Sequence, residues 1–122
     1  MPDLRDELVT TAVSASERVF QGRVWDVRRE TFELDGVEIA RDFVDHTGAV
    51  AVLAMDERDR VLLIKQYPHP IRARDWELPA GLLDLAGKSP LAGAQRELAE
   101  EADLVADQWH LLAEFMTSPG GS

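Results

Sequence analysis

The residues best able to do chemistry lie in the run Arg96-Glu97-Leu98-Ala99-Glu100-Glu101. At about 100° of rotation per residue, a helix through this run turns Leu91, Ala94, Leu98, Ala102 and Val105 to one apolar stripe and gathers Glu97, Glu100 and Glu101 on a neighbouring arc. Like charges at helical spacings of three and four repel by roughly 0.2–0.5 kcal/mol per pair, so three carboxylates on one patch call for a positive partner. Carboxylate oxygens suit a hard divalent ion such as Mg2+, with Mn2+ as an alternative, and such ions are commonly shared with substrate phosphates. The competing reading of the bare string is a solvated acidic helix face loosely balanced by Arg96.

A helix must present these side chains, and the sequence marks where it begins. Ser89 can accept a hydrogen bond from the first turn, and Pro90 fits that turn because its missing donor has no intrahelical partner there. The predicted helix runs from Ser89 to Asp103, a residue type that tolerates the left-handed conformation at a helix end. Ahead of it, Trp76-Glu77-Leu78-Pro79-Ala80-Gly81-Leu82-Leu83-Asp84 joins a strand-like run to the helix, and Gly81 is expected to allow a backbone path closed to other residues. Loop and helix form one unit in this reading.

That unit resembles the Nudix hydrolase family, whose signature is a glycine, a glutamate six residues on, then R-E-hydrophobic-x-E-E-x-G-hydrophobic. The lead-in WELPAG-LLD resembles the ADP-ribose pyrophosphatase branch, and the likeness runs from about Arg18 to the last residue. The resemblance implies a Nudix-type α/β/α sandwich with a mixed sheet and an N-terminal antiparallel ribbon. It makes Glu97 and Glu101 metal ligands, Glu100 a further ligand through direct or water-mediated contact, and the Ala80 carbonyl another. Arg96 orients these carboxylates, and Glu100 or a second metal activates water. Trp76, Glu77 and Arg74 are implied substrate contacts, with a core position the competing reading for Trp76. The implied reaction is Mg-dependent hydrolysis of a nucleoside diphosphate derivative, ADP-ribose to AMP and ribose 5-phosphate.

The sequence departs from that signature. Counted from Gly81, the signature glutamate falls at Gly87, or at Lys88 if the loop is one residue longer, and Asp84 is the acid available to pair with Arg96 instead. The glycine after E-E-x is Asp103, and the arginine that usually follows Q-Y is Pro68, leaving Arg72 or Arg74 to supply that charge. Relatives continue past a similar S-P-G into further strands, another acidic loop and a closing helix, so a C-terminal part is expected to be missing here. The rival reading from these departures is a catalytically impaired Nudix-fold module that binds a nucleotide or a protein; a third is a plain acidic α/β domain.

Composition sets outer limits. The chain has 122 residues, 45% of them hydrophobic and 30% charged, which fits one domain: a loose arm at 1–16 and the Nudix-type domain at 17–122. Its formal net charge of −10 argues against a broad nucleic-acid surface, which is built from accumulated lysine and arginine. A phosphorylated substrate would meet a negative protein, so cations must reverse the sign locally, either metal or the cluster Lys65, Arg72 and Arg74. No apolar run approaches a membrane span, the acidic N-terminus lacks signal-peptide features, and there is no cysteine, all of which fit a cytoplasmic protein.

The remaining elements follow in chain order. Arg18 to Leu34 alternates apolar and polar positions and reads as a bent strand, Asp35-Gly36 as a hairpin turn, and Val37 to Val44 as the returning strand. By resemblance such a ribbon crosses to a partner subunit, which implies a homodimer. Trp25, Arg28 and Arg29 are weighed as base or phosphate contacts against a core tryptophan and two solvated arginines. Gly48 to Met55 reads as a central strand covered on both faces, Asp56 to Arg60 as a turn, Val61 to Tyr67 as a strand, Pro68 to Ile71 as a loop and Gln108 to Met116 as a last strand. His46, His69 and His110 have no metal-ligand spacing and read as structural or solvent-facing.

Overall fold

The computed structural model describes residues 3–84 and 88–122, so Gly87, one of the two places for the signature glutamate, lies outside the described residues. The chain is α/β and divides into two compact units, residues 1–46 with 115–122, and residues 47–114.

The first unit is a three-stranded antiparallel sheet in the order β1-β2-β3, made of β1 (Ala12–Gln21), β2 (Asp26–Leu34) and β3 (Val37–Asp45). Asp35 and Gly36 both have positive φ, 52° and 79°, the geometry of the tight hairpin turn that their residue types favour. β1 begins at Ala12, so the arm expected over 1–16 gives up its last residues to the sheet. Pairing of β1 with β2 decides this: Ala15 lies opposite Thr31 and Ser16 opposite Glu30, while Ser14 Oγ donates to the Thr31 carbonyl at 3.2 Å. Two register shifts, between Val13 and Ala15 and between Arg18 and Phe20, bend the strand. The expected Arg18–Leu34 strand is therefore two strands, with Trp25 in the turn between them and stacked on His46 at a centroid distance of 4.3 Å. Arg29 and Asp42, directly paired across β2 and β3, form a two-pronged ion pair at 2.7 and 2.9 Å.

The second unit holds the helix and two short antiparallel pairs. β4 (Ala49–Ala51) pairs with β7 (Ala80–Leu82), and β5 (Ile64–Gln66) pairs with β6 (Asp75–Glu77). Hydrogen bonds from Val52 N to the Pro79 carbonyl, 2.8 Å, and from Leu83 N to the Gly48 carbonyl, 3.0 Å, extend the β4–β7 pair at each end. The strand expected over Gly48 to Met55 is thus only three residues long. Val52 is buried, but Leu53 and Met55 are exposed, so the run is not covered on both faces. Beyond β4, an isolated bridge between Met55 and Val61 and a hydrogen bond from Leu62 N to the Ala54 carbonyl, 3.0 Å, flank a turn in which Asp56 accepts from the Arg58 and Arg60 backbone amides at 2.9 and 3.0 Å. The Pro68 loop contains a 3-10 turn at His69–Ile71.

The helix α1 (Pro90–Ala102) carries the ends its sequence prescribes. Ser89 Oγ accepts from the Ala92 amide at 3.1 Å, and Asp103 closes the helix in the left-handed region at φ 54°. α1 packs on β4 and β7 through Leu98, which is fully buried, and Gly93. The packing is close enough at Gly93 that a Cβ there would lie 3.0 Å from Leu83 Cδ2. The expected stripe holds at Ala94, Leu98 and Ala102, which are buried or half-buried, while Leu91 is exposed, Val105 lies past the helix end, and Gly93 joins the seated face. Gln108 to Met116 forms no strand. It finds no ladder partner among the described residues, and Leu111, Leu112, Phe115 and Met116 stand exposed.

Candidate functional site

The site lies where the acidic residues in the last two turns of α1 meet β7. Glu97, three-tenths of a turn past the arginine and next to the buried Leu98, directs its carboxylate onto the backbone of Gly81, where a Cβ would overlap Glu97 Cδ and Oε1. Glu97 is correspondingly well covered, with 12% of its side chain exposed. Gly81 is required for this approach and not for an unusual backbone path: it sits in β7 opposite Val50, and its φ is not among the positive values in the chain. That corrects the expected glycine-bent loop, because residues 80–82 are drawn into extended conformation by pairing with β4.

One helical turn further on, Glu101 Oε2 accepts from the Ala80 amide at 3.3 Å. The two acids, spaced four apart, therefore converge on adjacent residues of one strand. Glu100 is exposed, and no hydrogen bond or ion pair joins it to them. Among the described residues no three His, Cys, Asp or Glu side chains are gathered closely enough to hold an ion by themselves. The arrangement brings Glu97, Glu101 and the Ala80-Gly81 backbone together and leaves Glu100 to the side.

Arg96 points toward the loop. Its Nη2 lies 3.5 Å from both Asp84 Oδ1 and Glu97 Oε1, long contacts for ion pairs, and its buried Nε has no hydrogen-bond partner among the described residues. Asp84 is thus the acid beside Arg96, as its place in the sequence suggested. Lys88 stands near the same arginine, lining a cleft with it.

β6 supplies the flanking groups. Alternation along Asp75-Trp76-Glu77 sends the two carboxylates to one face and the indole to the other. Burial raises the Glu77 carboxyl above its ordinary 4.5, and the adjacent Asp75 carboxyl and the charge of Glu101 push in the same direction. Asp75 Oδ1 is buried without a partner. Asp75 was not singled out from the sequence, although its two-residue spacing from Glu77 on a strand is the signal that would have found it. Trp76 is exposed, which settles against a core position, and Lys65 Nζ lies 5.5 Å from its ring centroid across the β5–β6 pair. Arg74 is exposed, and Arg72 turns back to donate to the His69 carbonyl at 2.7 Å. His69 Nδ1 is 3.0 Å from the Tyr67 hydroxyl, and His110 is exposed. No described helix is long and apolar enough to cross a membrane.

The chain is 43% identical over 109 residues to the ADP-ribose pyrophosphatase of Mycobacterium tuberculosis, covering 88% of this chain and 53% of that protein. It is 39% identical over 107 residues to the ADP-ribose pyrophosphatase of Bacillus subtilis, covering 87% of this chain and 57% of that protein. It spans little more than half the length of these curated relatives. A solved ADP compounds hydrolase superposes with a TM-score of 0.76 over 96% of this chain and 64% of its own, at 24% identity, which speaks to the fold alone. The NUDIX domain model matches residues 45–121, more than half of the sequence and all of α1 with its partner strands, and this chain accordingly belongs to the Nudix family.

Proposed function

We propose that this chain hydrolyses the diphosphate bond of a nucleoside diphosphate derivative, with ADP-ribose as the first substrate to test and AMP and ribose 5-phosphate as products. The observation that carries the reading is the convergence of Glu97 and Glu101 on the Ala80-Gly81 backbone. Two relatives named for ADP-ribose pyrophosphatase activity support the choice of substrate.

The donor set fits Mg2+ or Mn2+: carboxylate oxygens of Glu97 and Glu101 and the carbonyl of Ala80, with Glu100 reaching through water. Mg2+ is usually held by one or two carboxylates, waters and substrate phosphates, so two converging acids without a third suffice. When bound, such an ion offsets phosphate charge and acidifies water. The residues themselves supply position. Glu97 is fixed by its contact with Gly81, and Glu101 by the Ala80 amide. Arg96 holds the outer side of Glu97, and Glu100, exposed on the same helix, is assigned as the base that takes the proton of the attacking water. Water adds to phosphorus, the bond to the bridging oxygen breaks, and that oxygen leaves with the second phosphate. Trp76, Arg74 and Glu77 flank the approach to the site in this assignment.

The assembly we assign is a homodimer through the β1-β2-β3 ribbon, on the support that all ten β1 residues are exposed, Val13, Val19 and Phe20 among them. Equilibrium sedimentation tests it, with a monomer at tens of micromolar contradicting it. The function is tested by incubating the protein with ADP-ribose and Mg2+ and resolving nucleotides chromatographically. AMP formed with Mg2+ and absent with a chelator supports the reading, and no AMP at high protein concentration overturns it.

A further inference from the structure

Beside the acidic site, a cleft of about 140 Å³ opens between the end of the β7 loop and the first turns of α1, lined by Leu82, Leu83, Lys88, Ala92, Gly93 and Arg96. Four of these are apolar or without a side chain, and the two polar ones are both cations. The Arg96 Nε–H is buried and unpaired among the described residues, while its Nη2 reaches Asp84 and Glu97 only at 3.5 Å. A buried charged donor left unpaired destabilises a fold, and a second cation lining the same cleft adds repulsion. Both penalties are removed by the same thing, an anion with several acceptor oxygens. A guanidinium fork and an ammonium on apolar walls are suited to phosphate, the first by directional hydrogen bonds and the second as a point charge.

We propose that the cleft between Lys88 and Arg96 is a binding subsite for a phosphoryl oxyanion, either free phosphate or the phosphate of a nucleoside monophosphate. The subsite shares Arg96 with the carboxylate pair at Ala80-Gly81, but phosphate binding there does not depend on the proposed hydrolysis. A cavity of this volume exceeds the share of about 30 Å³ that each water takes in the liquid, so it has room for a hydrated oxyanion. Asp84 and Glu97 face the same arginine and oppose an incoming anion, which weakens binding. With a formal charge of −10 the chain repels anions at long range, so any saturable response comes from a local arrangement of cations.

The test is thermal unfolding of the metal-free chain in sodium phosphate against sodium chloride of equal ionic strength. The wild type is expected to show a rise that grows with the logarithm of phosphate concentration once this exceeds the dissociation constant, reaching about 8 °C at a roughly thirtyfold excess. Lys88→Ala is expected to lose most of that rise. Lys88→Glu, which supplies the carboxylate from within the chain, is expected to unfold at a higher temperature than wild type in chloride and to show no phosphate response. A rise that is linear in phosphate concentration and equal in wild type and Lys88→Ala is general salting-out and overturns the proposal, as does no rise at all. Competition by AMP, followed through the phosphorus resonance of inorganic phosphate, assigns the subsite to nucleotide phosphates. Retention of phosphate binding without AMP competition assigns it to the free ion.

Discussion

The carboxylate of Glu97 fills the space in which a side chain on Gly81 would begin, and its Cγ would lie 2.6 Å from a Cβ placed there. The relationship explains a glycine within a paired strand, where its flexibility is otherwise a disadvantage. It also makes a sharp prediction, because the obstructing atoms belong to a side chain that can rotate. Gly81→Ala is expected to fold with an unfolding midpoint within a few degrees of wild type, while its response to divalent metal weakens at least tenfold. The Gly81→Ala, Glu97→Ala pair is expected to be non-additive: with Glu97 already truncated, adding the methyl at Gly81 has little further effect on stability, as a double-mutant cycle by denaturant unfolding would read.

The ends of α1 give a second prediction. Ser89→Ala removes the hydroxyl that accepts from Ala92 and is expected to destabilise the chain by about 1 kcal/mol. Asp103→Gly relieves a left-handed non-glycine residue at the other end, at the expense of a more flexible unfolded chain, and is expected to shift stability by about 0.5 kcal/mol or less. Urea titrations of the two variants check both, and equal effects at the two ends would contradict the assignment of the cap to Ser89.

Glu77 supplies the pH dependence. Its folded-state carboxyl titrates above the ordinary 4.5, through burial first and then Asp75 and Glu101. Below 4.5 the group is protonated folded and unfolded alike and contributes nothing to the difference. As pH rises from there through the raised folded value, the unfolded chain gives up its proton more readily, and Glu77 increasingly opposes folding. Glu77→Gln is therefore expected to raise the unfolding midpoint at pH 7 and to leave it unchanged near pH 4. The opposite sign applies to Asp42, whose carboxyl the Arg29 guanidinium holds below its usual range. That pair supports the fold above the unfolded value of 3.8, and its support is lost as pH falls through the lower folded value. Melting curves of Glu77→Gln and Asp42→Asn between pH 3 and 7 separate the two.

The features legible in the sequence were those written in local chemistry. Ser89 and Pro90 marked the start of α1, Asp103 its end, and Asp35-Gly36 the hairpin, because capping and turn preferences act within a few residues. Strand lengths were not legible, since a strand lasts only as long as its partner. β4 stops at Ala51 although its apolar run continues, because β7 begins at Ala80, just after a proline that has no amide to donate. The same limit applied to the site. Four-residue spacing was enough to put Glu97 and Glu101 on one side of a helix, but which strand they met, and that Glu100 would stand apart, depended on how Gly93 and Leu98 seat the helix. Asp75 belongs to no motif, and its effect on Glu77 arises from their shared face of β6.

The central claim is that Glu97 and Glu101 jointly hold a divalent ion against the Ala80-Gly81 backbone, and the most direct test is a calorimetric titration of Mn2+ into the wild type, Glu97→Gln, Glu101→Gln and the double variant. Saturable binding by the wild type, weakened at least tenfold in each single variant and absent in the double variant, is the predicted result. Wild-type binding that survives in the double variant, or no binding in the wild type while ADP-ribose is still cleaved, would contradict it.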